Sequence, residues 1–242
     1  MPEPQIINAY DPGLHNSDLA QATRRLKADS SWKDLSTIIL RPVGSKQGIP
    51  PKIVASWESM IKPPNNRCTS MWAVDCEVGD AYTYMIEQIL AHPDLGKWKF
   101  LLCLEHDNAP PPDGLVRLQK QMEQHPELGA IGGLYFTKGF SGVAQIWGDR
   151  GDPVLNFRPQ PPDLNGGLKE CYGTGMGFTL FRMEMFKDPR LRKPWFKTPA
   201  NPQEGAWSQD LYFWSDAYKF YRCAIDCSVK VGHWDNENQI MW

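Results

Sequence analysis

The sequence predicts an α/β protein with a mostly parallel central sheet and helices on both faces. Three observations point there. Trp98 to Leu104 reads WKFLLCL, a run too apolar for a strand with one wet face, and only a strand covered on both sides tolerates it. Strand-like and helix-like segments alternate between Lys52 and Phe136, the order that builds parallel sheets with helical crossovers. No uninterrupted apolar run reaches the roughly 18 residues of a membrane helix, so no span is expected.

Taken in order, residues 1–50 read as an N-terminal extension packing on a main domain of residues 51–242. The extension holds one helical segment, Ser17 to Ala28, capped by Ser17, and a short apolar run from Ser36 to Leu40. A Gly- and Pro-rich stretch from Gly44 to Pro51 closes it. In the main domain, Ile53 to Trp57 reads as a short buried strand and Met71 to Cys76 as a second. Gly79 to His92 is helical, with Tyr82, Met85, Ile86, Ile89 and Leu90 on one face. After the apolar strand comes a helix from Pro112 to Gln124, aligned on Leu115, Leu118 and Met122, then a strand from Ala130 to Phe136. Beyond it the rhythm shortens. Cys171 to Arg182 contains a strand entered from a glycine-rich turn, Ser208 to Tyr218 is helical, and Arg222 to Val231 is a final strand.

Charge and cysteine usage narrow the partners. With 26 basic against 28 acidic residues the net charge is −2, which disfavours a nucleic-acid binder. MPEPQIINAY has neither a basic n-region nor an apolar h-region, so no signal peptide is expected. Six cysteines without C-x-x-C spacing read as reduced thiols, and a cytoplasmic location follows as the expectation.

Three stretches carry residues suited to chemistry. In FLLCLEHDNAPPPDGL a buried strand delivers Glu105, His106 and Asp107 to a Pro-rich loop, the position where open α/β sheets bind ligands. If the strand persists through Asp107, its period of two turns Glu105 and Asp107 to one side and His106 to the other. Two converging carboxylates repel unless a cation lies between them, and a divalent ion there would also meet phosphates. The competing reading is a solvated loop with Asp107 or Asn108 making a turn. In the second stretch Asp210 opens a helix behind Ser208. It either complements the helix dipole or serves as a general base. His233, directly after the last strand, is a surface or core histidine or a metal ligand. In the third, Gly173, Gly175 and Gly177 precede an apolar strand, where glycine admits a bulge or close approach of backbone to a ligand.

In order and spacing these stretches resemble the GT-A-fold glycosyltransferases of family two and their short phage-like relatives. The counterparts are EHD at Glu105 to Asp107, IGGLY at Ile131 to Tyr135, GMGFTLFR at Gly175 to Arg182, QD at Gln209 and Asp210, and YRCAIDCSVKVGH at Tyr221 to His233. The resemblance spans roughly residues 52 to 236. It implies that Asp107, with Glu105 beside it, ligates a divalent metal (manganese or magnesium) on the diphosphate of a UDP- or GDP-sugar. His233 would be a third protein ligand. Asp210 would be the base that activates an acceptor hydroxyl, with inversion at the anomeric carbon. This chain departs from the pattern in having Glu105 for the first aspartate and Gln209 for the usual glutamate. CEVGD at Cys76 to Asp80 replaces an Arg-Asn pair. Donor contacts are therefore assigned by position alone, to Ser56, Trp57, Asp80, Glu105 and Gly175.

Three other readings compete. A nucleotidyltransferase would keep the fold, but SWESMIKPPNNR is not the glycine-rich, arginine-containing loop it needs. A nucleotide-sugar-binding protein without catalysis is suggested by Gln209. A metal hydrolase lacks any close-spaced histidine pair.

Overall fold

The computed structural model describes residues 5–8, 34–44, 48–62, 67–140, 142–152, 154–199 and 208–242. The helix expected over Ser17 to Ala28 lies outside them.

An eight-stranded sheet organises the chain. Its strands are β1 (Gln5–Asn8), β2 (Thr37–Val43), β3 (Cys68–Val74), β4 (Phe100–Leu104), β6 (Leu128–Leu134), β8 (Leu168–Cys171), β10 (Phe178–Arg182) and β11 (Arg222–Lys230), in the order β1-β3-β2-β4-β10-β6-β11-β8. β2, β3, β4, β6 and β11 run one way, and β1, β8 and β10 run against them. The expected apolar strand is central. All of β4 is buried, parallel to β2 on one side and antiparallel to β10 on the other.

Alternation along the strands divides the core in two. Ile38, Leu40, Leu101 and Cys103 face one layer with α2 (Val78–Ala91) and α5 (Gln209–Ala217). Ile39, Leu102 and Leu104 face the other, with α1 (Pro51–Ser59) and α3 (Gly114–Gln124). Helices therefore cover both faces, as β4's composition requires.

Two expectations change. Ile53 to Trp57 belongs to α1 and is not a strand. A short apolar run suits either element, but Pro51 begins a helix well, and Ile53 and Trp57, four apart, bury on one helical face. The strand of that region lies earlier. TIILRPV forms β2, seated between β3 and β4, so the boundary expected at residue 50 falls after a strand internal to the sheet.

Smaller elements complete the chain. β5 (Asn108–Ala109), β12 (Gly232–Asp235) and β13 (Ile240–Met241) form a three-stranded sheet, and β7 (Ile146–Trp147) pairs with β9 (Gly173–Thr174). A short α4 (Met183–Lys187) follows β10. Arg182, at the end of β10, donates to the carbonyls of Met122 (2.6 Å), His125 (3.3 Å) and Leu128 (2.8 Å), satisfying the chain as it leaves α3. Among the described residues no helix is long and apolar enough to cross a membrane.

Candidate functional site

β4 ends at Leu104, and the next residues turn back instead of extending it. Asn108 N–H donates to the Glu105 carbonyl (3.1 Å), and Trp234 N–H to the Asp107 carbonyl (2.7 Å). β5 then pairs with β12, setting Asn108 opposite His233. Three prolines, Pro110 to Pro112, keep the strand from resuming. Because the segment is a turn, the alternation expected for Glu105, His106 and Asp107 does not apply. All three line one pocket of about 250 Å³.

The remaining walls come from Pro42 and Val43 at the end of β2 with Gly44 after it, Cys76 and Val78 after β3, and Gln209 at the start of α5. Three parallel strands thus end at the same cavity, where an open α/β sheet receives its ligand. It is not the largest cavity. One of about 640 Å³ lies beyond β6 and β11, bordered by Leu134, Phe136, Leu164, Lys230 and Trp242.

Asp107 and His233, 126 positions apart in sequence by their numbers, lie side by side, although His233 itself does not line the pocket. Imidazole Nε2 lies 3.5 Å from Asp107 Oδ2. Nδ1 lies 2.7 Å from the Phe136 carbonyl oxygen, which can only accept, so Nδ1 carries the proton. In the neutral ring Nε2 is then a lone pair facing a carboxylate, an arrangement that needs a positive charge nearby. Lys138 supplies one, its Nζ 2.5 Å from the same Oδ2. The other oxygen, Asp107 Oδ1, is buried and has no hydrogen-bond partner. Burial alone would raise the Asp107 pKa. When Nε2 is protonated as well, the hydrogen bond and charge of His233, followed by the charge and bond of Lys138, overcome it and hold the carboxyl well below the usual range.

Glu105 behaves oppositely. Burial, and then the charges of Asp107 and Asp210, push it up to about 8, against the hydrogen bond from Gln209 and the charge of Lys138. Gln209 Nε2 donates to Glu105 Oε1 at 3.2 Å, and Tyr82 Oη lies 3.5 Å from the same oxygen. Near neutral pH Glu105 is largely protonated, so the two carboxyls avoid the repulsion expected of them.

Asp210 stands in the first turn of α5, but its side chain is buried. Oδ1 accepts from the Ser208 hydroxyl and from Leu211 N–H (2.9 Å). Ser208 occupies the N-cap position without capping the helix, its hydroxyl turned to Asp210. Burial raises the Asp210 pKa, with those hydrogen bonds opposing. Among the described residues it is Gln209 that lines the pocket.

The positional assignments of donor contacts mostly go elsewhere. Ser56 Oγ donates to the Pro110 carbonyl (2.7 Å) and Trp57 Nε1 to the Asn108 carbonyl (2.9 Å), so both brace the turn from behind. Trp57 also packs under the Arg41 guanidinium, 4.5 Å from its ring centre. Asp80 lies in the first turn of α2, where Glu77 accepts from its N–H (3.2 Å), and it does not border the pocket. Gly175 is required by Tyr135, because a Cβ there would stand 2.2 Å from the phenolic oxygen.

Sequence reasoning missed Pro42 to Gly44 and Lys138. The first had a signal, since TIILRPV is an apolar run leading into the Gly- and Pro-rich stretch that starts at Gly44. Lys138 had none, because nothing local to it indicates Asp107. Among the described residues no group of three or more His, Cys, Asp or Glu side chains is arranged to hold a metal.

No protein-family model and no curated protein matches this chain. Among solved structures it is similar to the crystal structure of A197 from STIV, with a TM-score of 0.58 and 15% identity, over 85% of this chain and 92% of that one. At that identity the likeness is one of fold. The chain has a Rossmann-like α/β fold of the GT-A type.

Proposed function

We propose that this chain is a glycosyltransferase that takes a sugar from a nucleotide-diphosphate donor with the help of a divalent ion. The observation that carries the reading is the facing pair of Asp107 and His233 at the end of β4. The pair suits an ion because Asp107 Oδ1 is buried without a partner and His233 Nε2 is turned to Asp107 by the Phe136 carbonyl. Two protein ligands leave room for phosphate oxygens, and mixed nitrogen and oxygen ligation favours manganese over magnesium. When bound, such an ion neutralises charge on the leaving diphosphate.

The other residues serve the same task. A protonated Glu105 leaves Asp107 as the one ionised acid on the pocket floor, balanced by Lys138, so the cavity does not repel an anionic diphosphate. The end of β2, Pro42 to Gly44, supplies a wall for the nucleotide. Asp210 acts as base toward an acceptor hydroxyl, with inversion, once its carboxylate is released from Ser208.

The test is thermal shift and turnover over a panel of UDP- and GDP-sugars, with manganese, magnesium or chelator. One nucleotide series should stabilise the protein in manganese and lose most of that effect in chelator. A panel without any shift under either condition sinks the proposal. Asp210→Asn should then lower turnover by roughly 10²–10⁴-fold while donor binding persists, and Gln209→Ala should matter less. The buried Asp210 and the neutral Gln209 in the wall favour a second reading, a nucleotide-sugar-binding protein without catalysis. Binding without turnover of any donor would select it.

A further inference from the structure

Lys138 is the one residue at this site that neither its sequence position nor the proposed metal chemistry explains. Its Nζ rests on Asp107 Oδ2, the oxygen that His233 Nε2 also faces. A divalent ion shared by Asp107 and His233 has to approach that same oxygen. The ammonium and the ion would then be two positive charges a few ångströms apart in a partly buried place, and they repel. One of them must move, and Lys138 can. Its side chain is about one-third exposed (36%), on a hairpin whose arms are joined by Thr137 N–H to the Val143 carbonyl (2.9 Å). Gly139, with φ +98°, follows it directly. Lys138 also borders a separate polar cavity of about 420 Å³, with Gly139 and Asp235 to Asn238, so its side chain has space to leave Asp107.

We infer that Lys138 is a donor-binding residue that occupies the cation position of the free protein, and that it passes from Asp107 to the diphosphate when donor and ion bind together. The inference rests on the metal-dependent reading above. Without nucleotide, an ion must displace the ammonium from Asp107, and the cavity beside it offers poor exchange: Asp235 already accepts from Glu237 N–H, from Asn238 and from Trp242, and Glu237 is exposed, so the ion binds weakly. With nucleotide, the diphosphate gives the ammonium a new partner and gives the ion further oxygen ligands. Ion and nucleoside diphosphate then strengthen each other's binding by the same factor, as linkage requires.

The experiment measures Mn²⁺ binding by electron paramagnetic resonance of the free ion, with and without UDP or GDP, on wild type, Lys138→Met, Lys138→Arg and Asp107→Asn. In wild type the diphosphate should tighten Mn²⁺ binding at least about tenfold. Lys138→Met should bind Mn²⁺ alone roughly tenfold tighter than wild type, with a smaller coupling and weaker diphosphate binding. Lys138→Arg, which keeps the charge, should restore the wild-type pattern. Mn²⁺ affinity and coupling unchanged in Lys138→Met, with binding still lost in Asp107→Asn, overturns the role of Lys138 and leaves the metal reading standing. Absence of Mn²⁺ binding in every form, nucleotide present or not, overturns both. Circular dichroism of each variant confirms that the fold is kept, which the exposure of Lys138 leads us to expect.

Discussion

β4 and β10 lie side by side, yet their two ends are chemically unlike. At one end, level with Phe100, Arg182 spends its guanidinium on three carbonyls of the chain leaving α3. At the other, beyond Leu104, polar atoms are left unspent. Asp107 Oδ1 is buried without a partner, and so are both amide atoms of Asn108, which is packed against Gly177. Arg182 and Asp107 both come from motifs that stand out in the sequence, but only one is available to a ligand. A polar group saturated by its own chain holds structure, whereas a buried group left unsaturated carries a standing cost that a ligand can relieve.

The contrast breaks first at Asp107. Asp107→Asn removes the carboxylate and should lower turnover by roughly 10²–10³-fold, while losing its ion pair with the partly exposed Lys138 costs at most about 1 kcal/mol of stability. Steady-state rates beside a melting curve test this, and an active Asp107→Asn enzyme would move Asp107 into the same class as Arg182.

Glu105 sharpens the contrast through pH. An ordinary glutamate titrates near 4.5 and this one at about 8. Between those values the folded state holds a proton that the unfolded state has released, so stability falls as pH rises, by at most about 1.4 kcal/mol per pH unit, and levels off above 8. Glu105→Gln, neutral throughout, should flatten that slope and be the more stable protein at pH 8.5. Denaturant unfolding at pH 5, 7 and 8.5 measures it. Parallel profiles for the two proteins would mean that Glu105 is ionised in the fold.

The reverse outcome is expected of Arg182. Arg182→Met strands carbonyls at the end of α3 and should cost about 2 kcal/mol of stability, with turnover per folded molecule unchanged. A kcat loss without a stability loss would erase the distinction. The smallest effect belongs to Ser56→Ala, which loses one hydrogen bond to Pro110, about 1 kcal/mol, and should leave donor affinity where it was. A clear fall in donor affinity, measured by calorimetry, would return Ser56 to the pocket wall.

Some of this was readable from residues alone. WKFLLCL could only be a covered strand, and the acids after it could only emerge at its carboxyl end. The pairing of Asp107 with His233 followed from the resemblance. Other readings failed for physical reasons. IVASW is too short to show its period, so a helix passed for a strand, and Ser56 and Trp57 were assigned to a pocket they support from outside. Asp210 and Gln209 are adjacent, and one step of about 100° around the helix decides which meets the cavity. Sequence fixes their order but not the rotation of the helix against the sheet.

The sequence by itself determined what is local or repetitive: the alternation of elements, the burial of β4 and the acids placed directly after it. Tertiary structure decided what depends on distant segments meeting. It set β2 between β3 and β4, delivered Lys138 to Asp107 across 31 positions, and drew the Glu105 pKa upward by enclosing it. Apolar periodicity is written into each segment because each must bury its own face. The charge of a site is a sum over neighbours that only the folded chain brings within a few ångströms.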